Sequence, residues 1–358
     1  MGARRESQDP ERQAVGRRHS AVFSRRVAQV KCSPPVIPLC LSGSVRKRPL
    51  GKTGLRISEL ALGTWGLSGD AYGPVADGVA EAVILRALEV GITTFDTADA
   101  YGAGKIEALL GRLVPKSDEH VIVTKVGIDR TSEPAQKRFD AEFLTRAAEA
   151  SNKRLARDRI DVLLLHHPSY EAVHAGPCVE ALHAMKSRGL IAHWGVAAGD
   201  VEVAREALEK GAEVVELAYN LFHGIDLHRL AGEIMVSGAG VLARSTLGYG
   251  LLAGLWSKER AFEEGDHRRD RWTRTELERR LEQLDSIRFL VKGDVRTMRS
   301  AAVRFALANH LVSGAVLGPR TVEQLEQLVR EVGSGPVYLS DVDLTALPRS
   351  LSRVGIQT

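Results

Sequence analysis

The sequence predicts a single-domain (β/α)8 barrel, the TIM-barrel fold class, with an N-terminal hairpin. From residue 57 onward, eight short apolar runs alternate with longer amphipathic stretches, the pattern of a closed parallel sheet. Nothing divides the chain into two halves, as the alternative open, doubly wound sheet would favour. The predicted strands are Glu59–Gly63, Thr93–Thr97, Val121–Val126, Ile160–His166, Ala192–Ala197, Val214–Asn220, Gly240–Ser245 and Gly314–Gly318.

The stretches between these runs predict the outer helices. Each carries apolar residues three and four positions apart, so one side of the helix can pack on the sheet. Ahead of the first strand, Gly51-Lys52-Thr53-Gly54 predicts the turn of the hairpin. The clearest predicted helices are Asp77–Val90, Ala141–Ala156, Val179–Arg188, Val201–Lys210, Asp226–Val236, Val295–Ala308 and Thr321–Val332.

The charge of the chain is unevenly distributed. Residues 1–44 contain 8 Lys/Arg against 3 Asp/Glu, so their excess of +5 exceeds the +4 of the whole chain and leaves −1 for residues 45–358. We therefore expect no nucleic-acid partner for the body. No apolar run approaches the roughly 18–20 residues of a membrane span, and we expect no membrane partner.

Residues 1–44 are rich in Arg, Ser, Gln and Pro without a sustained period. We interpret them as a disordered or mis-annotated extension, and residues 45–358 as the barrel. A targeting peptide is the alternative, but Glu6, Asp9 and Glu11 are acidic residues that transit peptides avoid. In the body Cys178 is the one cysteine, which excludes a disulfide framework there and favours a cytoplasmic protein.

Three motif fragments suggest other chemistry but are incomplete. Gly51-Lys52-Thr53 resembles a phosphate loop, yet Arg46 stands where the first glycine belongs. Gly102-Ala103-Gly104 lacks the third glycine of a dinucleotide fingerprint and predicts only a helix start. Adjacent strand residues point to opposite faces, and no carboxylate or cysteine cluster accompanies His166-His167, so we expect no metal site.

Polar side chains lie at or near the carboxyl ends of the predicted strands. In barrels of this kind the chemistry collects at that face, where the βα loops begin. Singly, each of these residues could satisfy backbone groups at a strand end. Together they predict an active site at one mouth of the barrel: Asp96, Lys125, His166, Glu216 and Ser245, with Tyr101 in the following loop.

Several segments resemble motifs of the aldo-keto reductase family. They occur in order over roughly residues 46–350, most of them at predicted strand ends. They are Leu62–Trp65, Phe95–Gly102, Val123–Lys125, Leu163–Pro168, Leu247–Gly254 and Gly318–Leu325.

The resemblance implies a catalytic tetrad of Asp96, Tyr101, Lys125 and His166. Hydride addition to a carbonyl carbon leaves negative charge on oxygen, and a proton must meet it. A free tyrosine titrates near 10, so we expect Lys125 to lower the pKa of Tyr101 and Asp96 to hold Lys125 charged. We expect His166 to hydrogen-bond the carbonyl oxygen.

The resemblance also implies a nicotinamide cofactor. The family's Ser-Asn pair and glutamine, which hold the carboxamide, are replaced here by Ala197-Ala198 and Glu216, so we expect a weaker or altered hold, with backbone groups at Ala197–Gly199 taking part. The expected cofactor-binding residues are Gly63, Thr64, Trp65, Asp96, Ala197, Ala198, Glu216, Arg244, Ser245, Thr246, Leu247, Gly248, Gly318, Arg320, Gln324, Gln327 and Leu328.

Cofactor preference depends on the segment before and within the last predicted barrel helix. Arg320 can pair with a 2′-phosphate, and a helix N-terminus favours anions, so we favour NADP(H), with NAD(H) as the alternative. The family often has an arginine where Gln324 stands and a Glu-Asn pair where Gln327-Leu328 stands, so Arg320 carries most of this expectation.

The expected activity is reduction of small-molecule aldehydes or ketones, or the reverse oxidation of an alcohol. The alternative is a regulatory protein that uses the same barrel as a nicotinamide sensor; a different barrel enzyme explains fewer residues. The substrate stays open, because pocket loops diverge freely, and the sequence does not indicate an oligomeric state. Those loops are Trp65–Val75, Gly127–Arg138, Ser169–Pro177 and Leu255–Thr273; the charge run Glu263–Arg271 in the last is interpreted as solvated surface.

Overall fold

In the computed structural model, which describes residues 45–332, 335 and 337–357, eight parallel strands close into a barrel. This confirms the predicted fold class, whereas the extension 1–44 lies outside the described residues. The strands in chain order are β1 Lys47–Pro49, β2 Arg56–Ser58, β3 Leu60–Gly63, β4 Thr94–Asp96, β5 Val121–Val126, β6 Ile128–Asp129, β7 Gln136–Lys137, β8 Ile160–His166, β9 Ile191–Ala197, β10 Val214–Ala218, β11 Gly240–Arg244 and β12 Val312–Leu317.

The barrel strands follow one another around the closed sheet in chain order. They are β3, β4, β5, β8, β9, β10, β11 and β12, with β12 paired back onto β3. Every pairing is parallel, so all carboxyl ends meet at one mouth. The predicted strand Val214–Asn220 ends early, because the Asn220 side chain accepts hydrogen bonds from the Phe222 and His223 amides and turns the chain.

A two-stranded hairpin of β1 and β2 lies against the opposite end of the barrel. Its Leu50 and Ile57 are fully buried among the inward-facing residues of the barrel strands, Leu164 and Leu242 among them. Gly51 in the turn has φ 54°, and a Cβ there would lie 2.3 Å from the Gly240 amide, where β11 begins. Apolar packing thus fills this end, and polar side chains gather at the other.

Helices surround the barrel and bury their apolar sides against it. They are α1 Val79–Glu89, α2 Lys105–Leu113, α3 Ala141–Leu155, α4 Tyr170–His174, α5 Pro177–Ser187, α6 Val201–Glu209, α7 Ile225–Arg229, α8 Ala231–Ser237, α9 Arg274–Asp285, α10 Met298–Ala308, α11 Val322–Val332 and α12 Asp341–Arg353. None of those in the described part of the chain combines the length and apolar character of a membrane span.

The structure corrects several helix predictions. The predicted helix Asp226–Val236 is two short helices, α7 and α8, which meet at Leu230 where ψ is 0°. Helix α4 lies inside a stretch that we predicted to be a loop. Helix α9 begins after Thr273, whose side chain and that of Glu276 form a capping box; this Thr-x-x-Glu signature was present in the sequence.

Candidate active site

Asp96 and Lys125 form a buried ion pair inside the barrel mouth. Asp96 is the last residue of β4, and Lys125 lies one residue before the end of β5. The Lys125 Nζ lies 2.5 Å from Asp96 Oδ2 and donates a second hydrogen bond to the Thr97 carbonyl at 3.0 Å. Only 1% of the Lys125 side chain is exposed. A lysine this buried needs a counter-ion, since desolvation of an unpaired charge costs several kcal/mol.

Tyr101 stands beside this pair, five residues after Asp96. The loop after β4 leads into a single 3-10 turn, Tyr101–Gly104, in which the Tyr101 amide donates to the Ala98 carbonyl at 3.1 Å. The Lys125 Nζ lies 5.6 Å from the centre of the Tyr101 ring. The ring centre of His166 lies 5.9 Å from that of Tyr101, with the two ring planes nearly perpendicular. The four expected catalytic residues therefore lie at one mouth.

The pKa of Tyr101 is raised above its usual range. Burial is the main cause, and the charges of Asp96 and Glu216 raise it further, whereas Lys125 lowers it. Lys125 thus acts on Tyr101 in the expected direction, but burial outweighs it, and the pKa of Tyr101 as a whole is raised. Lys125 itself has a raised pKa: burial works against its charged form, but the two carboxylates outweigh burial.

His166, the last residue of β8, is neutral at pH 7. Burial, and then the charge of Lys125, hold its pKa well below the usual range. The next residue, His167, has φ 52° and has left the strand, so the two rings lie side by side with centres 5.3 Å apart. The expectation that the two side chains point to opposite faces of a strand is therefore wrong, because the chain turns at His167. Burial lowers the pKa of His167 to about 4.

Glu216 in β10 belongs to the same buried group. Its Oε2 lies 3.2 Å from Lys125 Nζ, and its Oε1 lies 3.9 Å from Arg244 Nε. The Arg244 guanidinium also donates to the Ala198 carbonyl at 2.9 Å, and the Ala198 amide donates to the Glu216 carbonyl at 3.0 Å. Both backbone groups of Ala198, which we expected to serve a carboxamide, are therefore bonded within the protein; Ala197 is fully buried.

The segment after β3 contributes one accessible side chain. Thr64 is fully buried, and its hydroxyl donates to the Asp96 carbonyl at 2.9 Å. At Gly63 a Cβ would lie 2.8 Å from Val316 Cγ1, so this position packs against β12. Trp65 is half-buried and stacks toward Tyr101, with ring centres 6.5 Å apart. Trp65 is thus the residue of this trio that a ligand can reach.

The segment after β11 is a tight turn. Ser245 has φ 55° and Gly248 has φ 53°. The Ser245 carbonyl accepts from Asn220 Nδ2 at 2.9 Å, and the buried Thr246 hydroxyl donates back to the Ala243 carbonyl at 3.1 Å. Leu247 packs partly against the core. These side chains therefore stabilise the turn, and the backbone of the turn is the part that a ligand can contact.

Arg320 binds a neighbouring loop in this structure. It follows Gly318 at the end of β12 and precedes α11. Its Nε donates to the Gly66 carbonyl at 3.2 Å, its Nη1 to the Tyr72 carbonyl at 2.8 Å, and its Nη2 to the carbonyls of Gly73 and Pro74 at 3.0 Å. The guanidinium that we expected to bind a phosphate is thus hydrogen-bonded to the backbone of the loop 65–75.

The other expected residues of α11 divide into exposed and buried ones. Gln324 and Gln327 are exposed, and the Gln324 side chain accepts from the Arg320 amide at 2.8 Å. Leu328 is 3% exposed and belongs to the main hydrophobic core. Its apolar side chain therefore packs inward, and its expected place in the cofactor site stays a prediction.

A group of aromatic rings above the mouth was missed by the sequence reasoning. His267 lies between Trp65 and Tyr72, with ring centres 4.7 and 4.6 Å away, and its amide donates to the Ala71 carbonyl at 2.9 Å. Arg268 lies 4.9 Å from the Tyr72 ring. The charge run Glu263–Arg271 is thus not simply solvated surface, since part of it closes over the loop 65–75. Its charged composition gave no signal of this packing.

No group of three or more His, Cys, Asp or Glu side chains within the described residues is arranged to hold a metal ion.

A profile of the Aldo/keto reductase family matches residues 59–335. The chain belongs to this family. A relative, the L-galactose dehydrogenase of Arabidopsis thaliana, is 28% identical over 301 residues, which cover 80% of this chain and 88% of the relative. Members of the family are oxidoreductases that act on carbonyl compounds with nicotinamide cofactors.

Two solved structures share the fold of this aldo-keto reductase. An aldo-keto reductase from Bacillus halodurans in its holo form superposes with a TM-score of 0.72 at 23% identity, covering 86% of this chain and 96% of the other. A glycerol dehydrogenase from Gluconobacter oxydans superposes with a TM-score of 0.75 at 23% identity, covering 87% and 97%.

The residues at the mouth of this aldo-keto reductase fit a nicotinamide and a carbonyl group. Two buried polar atoms there, His166 Nδ1 and Arg244 Nε, make no hydrogen bond to any other described residue, whereas Glu216 Oε2 is held in its ion pair with Lys125. Buried polar atoms are costly to leave unpaired. A ring with an amide substituent, or a substrate oxygen, has the donors and acceptors that these atoms lack.

Proposed function

We propose that this aldo-keto reductase reduces aldehydes or ketones to alcohols with NADPH, or catalyses the reverse oxidation, and that Tyr101 is its general acid. The observation that carries the proposal is the grouping of Tyr101 and His166 around the buried Asp96–Lys125 pair. These are the residue types that proton transfer to a carbonyl oxygen requires.

In the reduction, the Tyr101 hydroxyl gives its proton to the substrate oxygen. Burial disfavours the phenolate that remains, and the Lys125 ammonium offsets part of that cost. Asp96 holds the ammonium in place through the 2.5 Å contact. His166, being neutral, can donate an N–H to the same substrate oxygen and stabilise its developing charge. In the oxidation, the Tyr101 phenolate takes the proton back.

A nicotinamide cofactor supplies the hydride in the reduction and accepts it in the oxidation. We propose that Trp65, Glu216 and Arg244 hold its ring end, together with the backbone of the turn Ser245–Gly248. The N-terminus of α11, just after Gly318 and Arg320, provides amide donors for phosphate groups at the other end. Gln324 and Gln327 are exposed on the first two turns of that helix, as is Glu323.

We propose NADP(H) as the preferred cofactor, because Arg320 is the cation beside the start of α11. To bind a 2′-phosphate its guanidinium has to exchange carbonyl partners in the loop 65–75 for phosphate oxygens. A charge-assisted contact to an anion is stronger than one to a neutral carbonyl, which favours the exchange.

For the substrate we propose a small carbonyl compound or alcohol that enters between Trp65 and His167. Two of the three proteins named above are dehydrogenases of L-galactose and glycerol, so aldoses and polyols belong in the first test panel. Aromatic faces such as Trp65 suit the apolar faces of sugars as well as aromatic aldehydes.

A nicotinamide sensor is the second candidate function. It is favoured by Ala197 and Ala198, which offer no polar side chain to the carboxamide, and by Glu216, which faces Lys125. A protein that only binds the cofactor does not require a tyrosine beside a buried lysine, and this favours the enzyme.

The proposal is tested by cofactor binding and turnover measured on the same samples. We expect protein fluorescence to report binding of NADPH and NADH, and loss of NADPH absorbance to report reduction of para-nitrobenzaldehyde, with aldoses and glycerol in the panel. Tyr101→Phe should lower kcat at least about a hundredfold and change NADPH affinity little, as expected for a lost general acid.

Tyr219→Phe is the matched control. Tyr219 is also buried, but its hydroxyl contacts Asn309 at 3.1 Å in the outer helix layer, so this change should leave kcat unaltered. Binding without turnover in the wild type would favour the sensor. Near-wild-type turnover by Tyr101→Phe would show that another group donates the proton.

A further inference from the structure

Two carboxylates share one ammonium in the barrel mouth. Asp96 Oδ2 lies 2.5 Å and Glu216 Oε2 lies 3.2 Å from Lys125 Nζ. All three side chains are at most 6% exposed. Charges this well removed from water interact strongly, so each one alters the protonation of the others. A glutamine at position 216 would bring no charge to this cluster.

The position of Glu216 follows from the sheet. It pairs in register with Ala197 of β9 and Leu242 of β11, and its side chain points into the barrel toward Lys125 on β5. Its second oxygen lies 3.9 Å from Arg244 Nε. Glu216 thus lies between two cations, whereas Asp96 contacts one.

We propose that Glu216 is a positioning residue for proton transfer: as a second counter-ion of Lys125, it sets the pH range in which Tyr101 exchanges its proton. The inference rests on the proposed function, because it concerns the same tyrosine. It differs from the expected role of this position as a contact of the carboxamide.

The electrostatics of the cluster agree with this geometry. Burial works to raise the pKa of Glu216, but Lys125 and Arg244 outweigh it and lower it. Burial and then the charge of Glu216 raise the pKa of Asp96 well above its usual range. The two carboxylates and Lys125 therefore titrate as one coupled group, in which each charge alters the protonation of the others.

The effect on Tyr101 has a definite sign. Carboxyl groups lose their protons at lower pH than a phenol does, so both Asp96 and Glu216 are ionised where Tyr101 titrates. Both negative charges raise the pKa of Tyr101, and Lys125 and Arg244 oppose them. His166 and His167 are neutral there and contribute no charge, whereas Asp99, two residues before Tyr101, is ionised there and keeps its charge in every variant of the test.

Removal of the Glu216 charge should therefore lower the pKa of Tyr101. The test is a pH titration of tyrosinate absorbance, taken as the difference between each protein and its Tyr101→Phe derivative. We expect Tyr101 in Glu216→Gln to titrate at least about one pH unit below the wild type, the scale of a like charge at close range. Glu216→Asp, which keeps the charge, should stay nearer to the wild type.

Glu213→Gln is the control. Glu213 directly precedes β10 but contacts Lys186 and His193 outside the cluster, at 2.6 and 2.7 Å, so Tyr101 should titrate there as in the wild type. The pH profiles of turnover should move in the same direction in Glu216→Gln. The rate of para-nitrobenzaldehyde reduction should fall off at a lower pH than in the wild type, and the rate of oxidation of the corresponding alcohol should rise at a lower pH.

The two proposals fail in different ways. If Tyr101 titrates at the same pH in the wild type and in Glu216→Gln, or is silent in both up to the unfolding pH, the role of Glu216 is wrong. A change in NADPH affinity with no change in titration would make it a cofactor contact only. Shifted titrations without turnover in any variant would overturn the proposed reductase while the charge effect of Glu216 stands.

Discussion

The proposed cofactor site has a catalytic end at the barrel mouth and a second end at the start of α11, and the two satisfy their charged groups in different ways. At the catalytic end, Lys125 is buried against two carboxylates, and Arg244 joins them. At the end near α11, Arg320 has no carboxylate partner within hydrogen-bonding distance among the described residues and instead bonds four backbone carbonyls of one loop. The first arrangement fixes protonation states inside a rigid sheet. The second fixes a loop, with partners that an anion can replace.

The difference teaches which end can be read from sequence. Strand-end residues are predictable because the period of a strand and the closure of the barrel determine where they point. Loop partners depend on the path of a second, distant loop, which a local pattern does not encode.

The largest effect should follow from removal of the cation at the catalytic end. Lys125→Met leaves Asp96 and Glu216 buried without their shared counter-ion and removes the charge that favours the Tyr101 phenolate. We expect kcat to fall at least about a hundredfold while NADPH affinity changes little, measured by initial rates and fluorescence titration. Lys186→Met, at a partly exposed pair with Glu213, is the control and should keep wild-type kcat.

A marked loss of cofactor binding in Lys125→Met, in step with the loss of kcat, would mean that the lysine organises the whole mouth and not the proton donor alone. Circular dichroism of the variant separates this outcome from unfolding.

The features at the two ends also differ in how well the sequence predicts them. The eight strands and the convergence of Asp96, Lys125 and His166 follow from alternation and strand ends. The contact of Glu216 with Lys125 could not be predicted, because it requires the relative height of residues on non-adjacent strands around the barrel. The aromatic cover formed by Trp65, Tyr72 and His267 brings together loops almost two hundred residues apart. The charged composition of the segment that contains His267 predicted a solvent-exposed surface instead.

A smaller effect should come from a carboxylate at the catalytic end that lacks an ion-pair partner. Asp99 Oδ1 is buried and makes no hydrogen bond to any described residue. Burial, and then the charge of Glu107, raise the pKa of Asp99 to about 7. An acid with a raised folded-state pKa has no effect on stability below its unfolded value near 3.9, destabilises the fold increasingly as pH rises from about 4 to about 7, and destabilises it by a constant amount above that.

Asp99→Asn should therefore stabilise the protein at pH 8 and have little effect at pH 4. Three pH units correspond to about 4 kcal/mol, and because Asp99 is only partly buried we expect about 2 kcal/mol, measured by urea unfolding at both pH values. Asp118→Asn, at an exposed position, should change stability at neither. If Asp99→Asn were less stable than the wild type at pH 8, the ionised Asp99 would stabilise the fold, contrary to this prediction.

The smallest effect should come from Arg320. Arg320→Ala should weaken NADPH about tenfold and NADH less than about threefold, because a 2′-phosphate contact of about 1.4 kcal/mol is lost against the loop contacts that it replaced. Arg320→Lys separates the two roles, since an ammonium can meet a phosphate but cannot bond four carbonyls at once. It should therefore keep much of the preference for NADPH. Titrations in which both variants lose NADPH and NADH equally would mean that Arg320 serves the loop 65–75 alone.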